Sequence, residues 1–123
     1  MSEGPSGARP TPPGDRQSAG VLDDYSDHVL EVVEGIPAGR VMSYGDIAEY
    51  LGVGGPRQVG RVLAIYGGSV AWWRVIHADG TPAPCHDHVA LAHYREEGTP
   101  LRSAGPPVRV DMRKARWPGP DPA

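Results

Sequence analysis

The chain has no phenylalanine and a single cysteine, and no apolar run in it approaches the length of a secretory h-region or a membrane span. Each shortage excludes something. One cysteine cannot close an internal disulfide, which fits a reducing compartment, so a cytoplasmic protein with no membrane partner is expected. Without phenylalanine, aromatic packing falls to three tryptophans and five tyrosines. Basic residues are also in deficit, with a net charge of −3, which at first argues against a nucleic-acid partner.

The distribution of charge says more than the total. Residues 1–35 set Arg9 and Arg16 against seven carboxylates, a balance of −5. Residues 36–75 set Arg40, Arg57, Arg61 and Arg74 against Asp46 and Glu49, a balance of +2. The middle of the chain is therefore locally basic, which permits DNA binding without requiring it. Glycine and proline are abundant, and much of the excess lies at the ends. Residues 1–20 hold four Gly, four Pro and three Ser, too little apolar surface to offset the entropy of ordering. We read 1–20 and 118–123 as disordered tails and 21–117 as one small domain.

Within that domain the apolar spacing predicts helices. Tyr25, Val29, Val32, Val33 and Ile36 recur at helical intervals over 22–35, with Asp23 or Asp24 to cap the start and Gly35 and Pro37 to stop it. Val41-Met42 reads as a short extended piece. Ser43-x-x-Asp46 has the spacing of a capping box, and Tyr44, Ile47, Ala48 and Leu51 form one apolar face behind it. Gly52-Val-Gly-Gly55 makes a tight turn, and Pro56 suits the first position of a third helix, with Val59, Val62, Leu63 and Tyr66 as its buried stripe. Arg57, Gln58 and Arg61 lie on the other side. Two short helices joined by a four-residue turn are a helix-turn-helix candidate, and equally an ordinary three-helix core. Val89 to Glu97 reads as a further helix closed by Gly98, and Val108–Asp111 as a strand or wing.

The stretch Val70-Ala71-Trp72-Trp73-Arg74-Val75-Ile76 is unusual. A strand would send its adjacent indoles to opposite faces, so one core does not easily take both. Further on, Pro84-Cys85-His86-Asp87 pairs a thiol with a histidine, a combination capable of nucleophilic chemistry. Cys85, His86, Asp87, His88 and His93 also invite a metal reading. Adjacent residues rarely chelate one ion and no second pair stands at finger spacing, so no metal and no cofactor are expected.

Taken together and in order, these pieces resemble one family. Ile36-Pro-x-Gly-Arg-Val-Met-Ser-Tyr-Gly-Asp-Ile-Ala48 is similar to the opening of the DNA-binding domain of O6-alkylguanine-DNA alkyltransferases, and Pro56-Arg-Gln-Val-Gly-Arg-Val-Leu63 to their recognition helix. In those enzymes a Pro-Cys-His-Arg-Val motif follows, whose cysteine accepts the alkyl group. Here the aligned residues are Ala71-Trp72-Trp73-Arg74-Val75, so Trp72 stands at the nucleophile and Trp73 at the activating histidine. Tryptophan at the cysteine position resembles the alkyltransferase-like branch, and the likeness extends through Tyr94-Arg-Glu-Glu-Gly98 to Val110–Trp117. This chain departs from that branch in having Ala71 for proline and Trp73 for histidine. It also lacks the arginine that some relatives place between His77 and Val89 to contact the lesion.

The resemblance implies a mainly α, winged-helix-like helix-turn-helix domain with short extended segments. It implies a non-enzymatic protein that binds double-stranded DNA containing O6-alkylguanine through the minor groove, flips the base and flags it for nucleotide excision repair proteins. By resemblance, Arg57 is the finger that fills the vacated place, Ser43, Tyr44, Gln58 and Arg61 contact DNA, and Tyr44, Trp72, Arg74 and Val75 form the lesion pocket. Each has a plainer alternative: Arg57 as a phosphate contact, Tyr44 as core, both indoles as core, and Arg74 as a tie to backbone carbonyls. Two other functions stay open, an alkyltransferase using Cys85 and a helix-turn-helix transcription regulator. Trp72 lies 15 residues beyond Arg57 and Cys85 lies 28 beyond, and the resemblance favours the nearer position. No dimerisation helix stands out, so a monomer is expected.

Overall fold

Ser43 Oγ accepts the Asp46 N–H at 2.9 Å, and the Asp46 carboxylate accepts the Ser43 N–H at 3.1 Å. That reciprocal cap opens α2, Tyr44–Leu51, in the computed structural model, which describes residues 20–84 and 86–120, with side chains from Asp24 onward. Before it come α1, Gly20–Gly35, and a two-residue strand β1, Met42–Ser43. After it come α3, Pro56–Tyr66, two 3-10 turns at Gly67–Ser69 and Trp72–Arg74, and β2, Val75–Ile76. The chain continues through α4, Asp87–Glu97, a hairpin of β3, Leu101–Ala104, and β4, Val108–Val110, and a single helical turn α5, Met112–Ala115. The mainly helical, winged helix-turn-helix expectation holds.

The helix-turn-helix is fixed by local chemistry. Gly52 ends α2 in the left-handed conformation, at φ 75°, and its N–H bonds back to Ala48 and Glu49. Gly54 is also left-handed, at φ 77°, and a Cβ there would lie 2.4 Å from the Tyr25 hydroxyl. Tyr25 in turn donates to the Val53 carbonyl at 3.4 Å, so α1 is bonded to the turn it supports. Pro56 takes the first position of α3, where no N–H is needed.

The two short strands divide the core. β1 and β2 run parallel, with Met42 opposite Val75 and Ser43 opposite Ile76. Successive side chains on a strand point to opposite faces. Met42 and Val75 therefore join Val29, Val32, Val33, Ile36, Ile47, Val59 and Val62 in the core of the three helices. Val41 and Ile76 face the other way, onto Ala90, Tyr94, Val108, Val110 and Ala115, where α4 packs on the wing. The C-terminal segment seals this second core. Val41 pairs with Arg116, its N–H bonding Ala115 O at 2.9 Å and its carbonyl accepting the Trp117 N–H at 2.8 Å.

Several expectations are corrected. α1 starts at Gly20, so Asp23 and Asp24 lie inside the helix instead of capping it. Tyr66, expected in the buried stripe of α3, is 42% exposed, because the chain turns away at Gly67 and leaves the last residue of the helix uncovered. Residues 118–120, expected to fray, are placed against α2, with Gly119 buried beside the Tyr50 ring. Residues 1–19 and 121–123 of the expected tails lie outside the described residues, as does Cys85. No helix among the described residues is long and apolar enough to cross a membrane.

Candidate nucleic-acid interface and its cavity

Parallel strands that end together deliver the residues after them to the same place. Tyr44 follows Ser43 and His77 follows Ile76, and their rings meet at 5.1 Å, tilted by 44°. An open cavity of about 890 Å³ begins there. Ser43, Tyr44 and Gly45 form one side, Pro56, Arg57, Gly60 and Ala64 of α3 another, and Trp72, Ala83, Pro84 and His86 close it. Its volume falls within the roughly 300–1,000 Å³ usual for small-molecule sites. α3 leaves this room because Pro56, Gly60 and Ala64, four residues apart, present only small side chains on the face that looks across at Tyr44.

Arg57 lines this cavity and is exposed, and among the described residues no carboxylate or carbonyl holds its guanidinium. It stands at the second position of α3, where the positive end of the helix dipole disfavours a cation. Arg61, one turn on, and Gln58 are exposed beside it and outside the cavity lining. The Gln58 side-chain oxygen accepts the Gly55 N–H at 2.9 Å, so this residue helps cap α3. Ser43 caps α2 and also lines the cavity. Tyr44 is half-buried, packed against the helical core on one side and lining the cavity on the other, and burial raises its hydroxyl pKa.

The adjacent indoles are separated by a turn, not by a strand. Trp72 and Trp73 lie in the 3-10 segment with rings 5.8 Å apart and 84° between their planes. Trp72 faces the cavity and leans on His86, centroid to centroid 5.3 Å. Trp73 turns to α4, lying flat on His93 at 3.5 Å and 3°. Its Nε1 donates to Glu97 at 3.1 Å, and its carbonyl accepts the Tyr94 hydroxyl at 2.6 Å. Burial pushes the Tyr94 hydroxyl pKa up, so it remains a donor.

Arg74 ties the turn to a backbone carbonyl, as one reading of the sequence expected, and does not line the cavity, as the other did. Its Nε and Nη2 fork onto Glu97 at 3.1 and 2.6 Å, and its Nη1 donates to the Ile36 carbonyl at 2.9 Å. Glu97 Oε1 also accepts the Gly39 N–H at 3.3 Å. Burial by itself would raise the Glu97 carboxyl, but Arg74 first, then Gly39 and Trp73, hold it below the ordinary carboxylate range. Arg74 therefore ties the Trp72–Arg74 turn to α1 and α4. The Val75 side chain is in the core, paired across the strands with Met42. Neither residue lines the cavity; Arg74 is drawn off by Glu97 on a helix 23 residues away in sequence. Sequence reasoning missed His77 and His86, because only the parallel pairing and the return of the chain to α4 bring them to the cavity.

Comparison with known proteins gives the family and the fold. Residues 24–97 match the family model of the 6-O-methylguanine DNA methyltransferase DNA-binding domain. The Escherichia coli DNA base-flipping protein is 32% identical over 103 residues, 77% of this chain and 75% of that protein. Alkyltransferase-like protein 1 of Schizosaccharomyces pombe is 38% identical over 63 residues, 49% of this chain and 58% of that one. The crystal structure of S. pombe Atl1 in complex with damaged DNA containing O6-carboxymethylguanine superposes with a TM-score of 0.67 at 27% identity, covering 77% of this chain and 95% of that one. By these matches, the chain belongs to the alkyltransferase-like family.

Proposed function

We propose that this protein is a non-enzymatic sensor of O6-alkylguanine in duplex DNA. It docks α3 in the minor groove, accepts the extruded base in the cavity, and marks the site for nucleotide excision repair. The observation that carries the reading is the open cavity walled by Trp72, with Arg57 on its lining and no carboxylate or carbonyl on its guanidinium among the described residues. Inspecting a base inside a duplex requires removing it from the stack, at about a few kcal/mol, and less for a pair already weakened by alkylation. Stacking an extruded base on an aromatic face contributes about 1–3 kcal/mol, enough to offset much of that cost. Arg57 fills the vacated place, where its planar guanidinium can stack on neighbouring bases and bond the orphaned partner.

The same geometry supports binding without transfer. A carbon-bonded indole offers no thiolate to attack an alkyl group. Trp73, at the position of the activating histidine, carries only an N–H donor, and that donor is already bonded to Glu97. Of the lining residues, Trp72 offers a backbone acceptor for guanine's exocyclic amine: its carbonyl takes the Val75 N–H and retains a second lone pair. Handing on the lesion follows from holding it without mending it, and the resemblance to the alkyltransferase-like branch supports excision repair as the recipient.

Competition binding with duplexes differing at one guanine, methylated or not, tests the reading, together with mass spectrometry of the protein after incubation. Tighter binding of the methylated duplex and an unchanged protein mass are expected. A mass gain abolished by Cys85→Ala would instead establish an alkyltransferase. Preference for one undamaged palindrome would establish a transcription regulator.

A further inference from the structure

The C-terminal stretch after α4 is strongly basic. Residues 98–117 set Arg102, Arg109, Arg113, Lys114 and Arg116 against Asp111, a balance of +4 in a protein of net charge −3. Two of these residues have structural duties: Arg116 Nε donates to Asp46 at 3.0 Å, and Asp111 accepts the Arg113 N–H at 3.1 Å to cap α5. Arg109, in the middle of β4, has no such duty. Val108 and Val110 on either side of it are buried, so strand alternation turns Arg109 away from the core, on the face it shares with Ser103 of β3. Its Nε is covered and bonds to nothing among the described residues, and its Nη2 stands 4.0 Å from Asp79. The side chains of that pair are 43% and 55% exposed, so the pair is weak. The Asp79 carboxylate is already engaged by the Thr81 N–H and hydroxyl, at 3.0 and 2.7 Å.

Hydrogen bonds place this cation at the rim of the cavity. The Val110 N–H bonds to Gly80 O at 2.8 Å, and the Val108 N–H to the Asp87 carboxylate at 3.4 Å. His77, Ala78 and His86, each within three residues of one of those bonds, line the cavity. When a base is turned out of the stack into a pocket, its sugar and phosphates stay at the mouth. We propose that Arg109, on the β3–β4 wing, clasps a backbone phosphate of the strand that carries the flipped base, as a second cationic hold on DNA apart from α3. The inference rests on the sensor reading above and goes beyond it by adding the wing to the DNA surface. A guanidinium that turns from Asp79 to a phosphate exchanges a distant, screened carboxylate for oxygens that its planar fork matches. The wing itself, residues 101–110, holds Arg102 and Arg109 and no carboxylate. A phosphate contact fixes the register of the duplex and carries no information about the lesion, which separates the role of Arg109 from that of Arg57.

The test measures affinity for plain and O6-methylguanine duplexes of one sequence across a fourfold range of salt, with melting temperature beside binding. It compares the full chain with Arg109→Gln, which keeps a hydrogen-bonding side chain and loses the charge, and with Arg109→Lys, which keeps the charge. Loss of one phosphate contact should lower the steepness of log affinity against log salt by about 0.9 on both duplexes, so that over the salt range Arg109→Gln loses about 3.5-fold less affinity than the wild type. Arg109→Lys should keep the wild-type steepness, because an ammonium still neutralises a phosphate. The preference for methylated over plain duplex should be the same in all three proteins. A second arm replaces the lesion-strand phosphates one at a time by uncharged methylphosphonate. At one position flanking the lesion the wild type should weaken and Arg109→Gln should not weaken further. A steepness unchanged in Arg109→Gln on either duplex, or no phosphate position at which wild type and variant differ, overturns the inference while leaving the sensor intact. Failure of the wild type to prefer methylated over plain duplex would sink the sensor reading itself, and this inference with it.

Discussion

Replacing Arg57 with alanine separates function from stability. The side chain is exposed, has no bonding partner among the described residues and occupies the second position of α3. Its removal takes away no hydrogen bond or ion pair among the described residues. A cation near a helix N-terminus is disfavoured by about 0.3–1 kcal/mol, and alanine is the better helix former, so Arg57→Ala should be neutral to slightly stabilising. A surface change within about 0.5 kcal/mol corresponds to a melting shift of about 2–4 °C in a domain of this size. Binding to a lesion-bearing duplex should behave differently. If the guanidinium stacks in the vacated place, losing it removes about 1–3 kcal/mol, or roughly 5- to 140-fold in affinity. Plain duplex loses one cation and reduces its salt slope by about one, a smaller effect. The assay is fluorescence competition with methylated and unmodified duplexes at two salt concentrations, alongside thermal melting. Equal weakening on both duplexes would make Arg57 a phosphate contact and refute the finger. A melting loss well beyond 4 °C would show that it supports the fold.

Trp72→Ala should erode the ranking of bulky over small adducts with little change in affinity for plain duplex; an unchanged ranking in competition assays removes the indole from the pocket. Gly54→Ala places a Cβ in a left-handed residue 2.4 Å from the Tyr25 hydroxyl, and should destabilise by more than the ~1–2 kcal/mol of the backbone alone. Adding Tyr25→Phe should relieve only the hydroxyl contact, because the ring carbons it keeps stay 3.0 and 3.3 Å from that Cβ, so the double variant should recover part of the steric loss in urea unfolding. Tyr94→Phe removes the donor to the Trp73 carbonyl and should lose about 1–3 kcal/mol in the same assay. Glu97 has its folded pKa lowered, so its contribution is complete above the unfolded carboxylate value, about 4.3, and is lost as pH falls through the folded value. Asp46 behaves likewise, burial opposing and the Arg116 hydrogen bond outweighing it. Glu97→Gln should therefore be less stable at neutral pH and lose less stability on acidification than the wild type, as followed by melting between pH 3 and 7.

The helices and the turn between α2 and α3 were legible in the sequence because their signals act over three or four residues. Ser43 and Asp46 cap one another across a single turn, Gly52 and Pro56 end and begin helices by backbone geometry, and the apolar stripes repeat every 3.6 residues. The resemblance to the alkyltransferases brought Tyr44, Arg57 and Trp72 forward as one site, and all three line the same cavity. Tertiary structure alone decided the rest. β1 and β2 are two residues each, too short for any periodicity to announce them, yet their parallel register sets Tyr44 beside His77. The adjacent indoles diverge through a 3-10 turn held by Glu97 on α4, and the same carboxylate takes Arg74 out of the cavity. Such contacts join residues more than twenty positions apart, where hydrogen-bond geometry and packing select the partner and no local pattern in the chain records the choice.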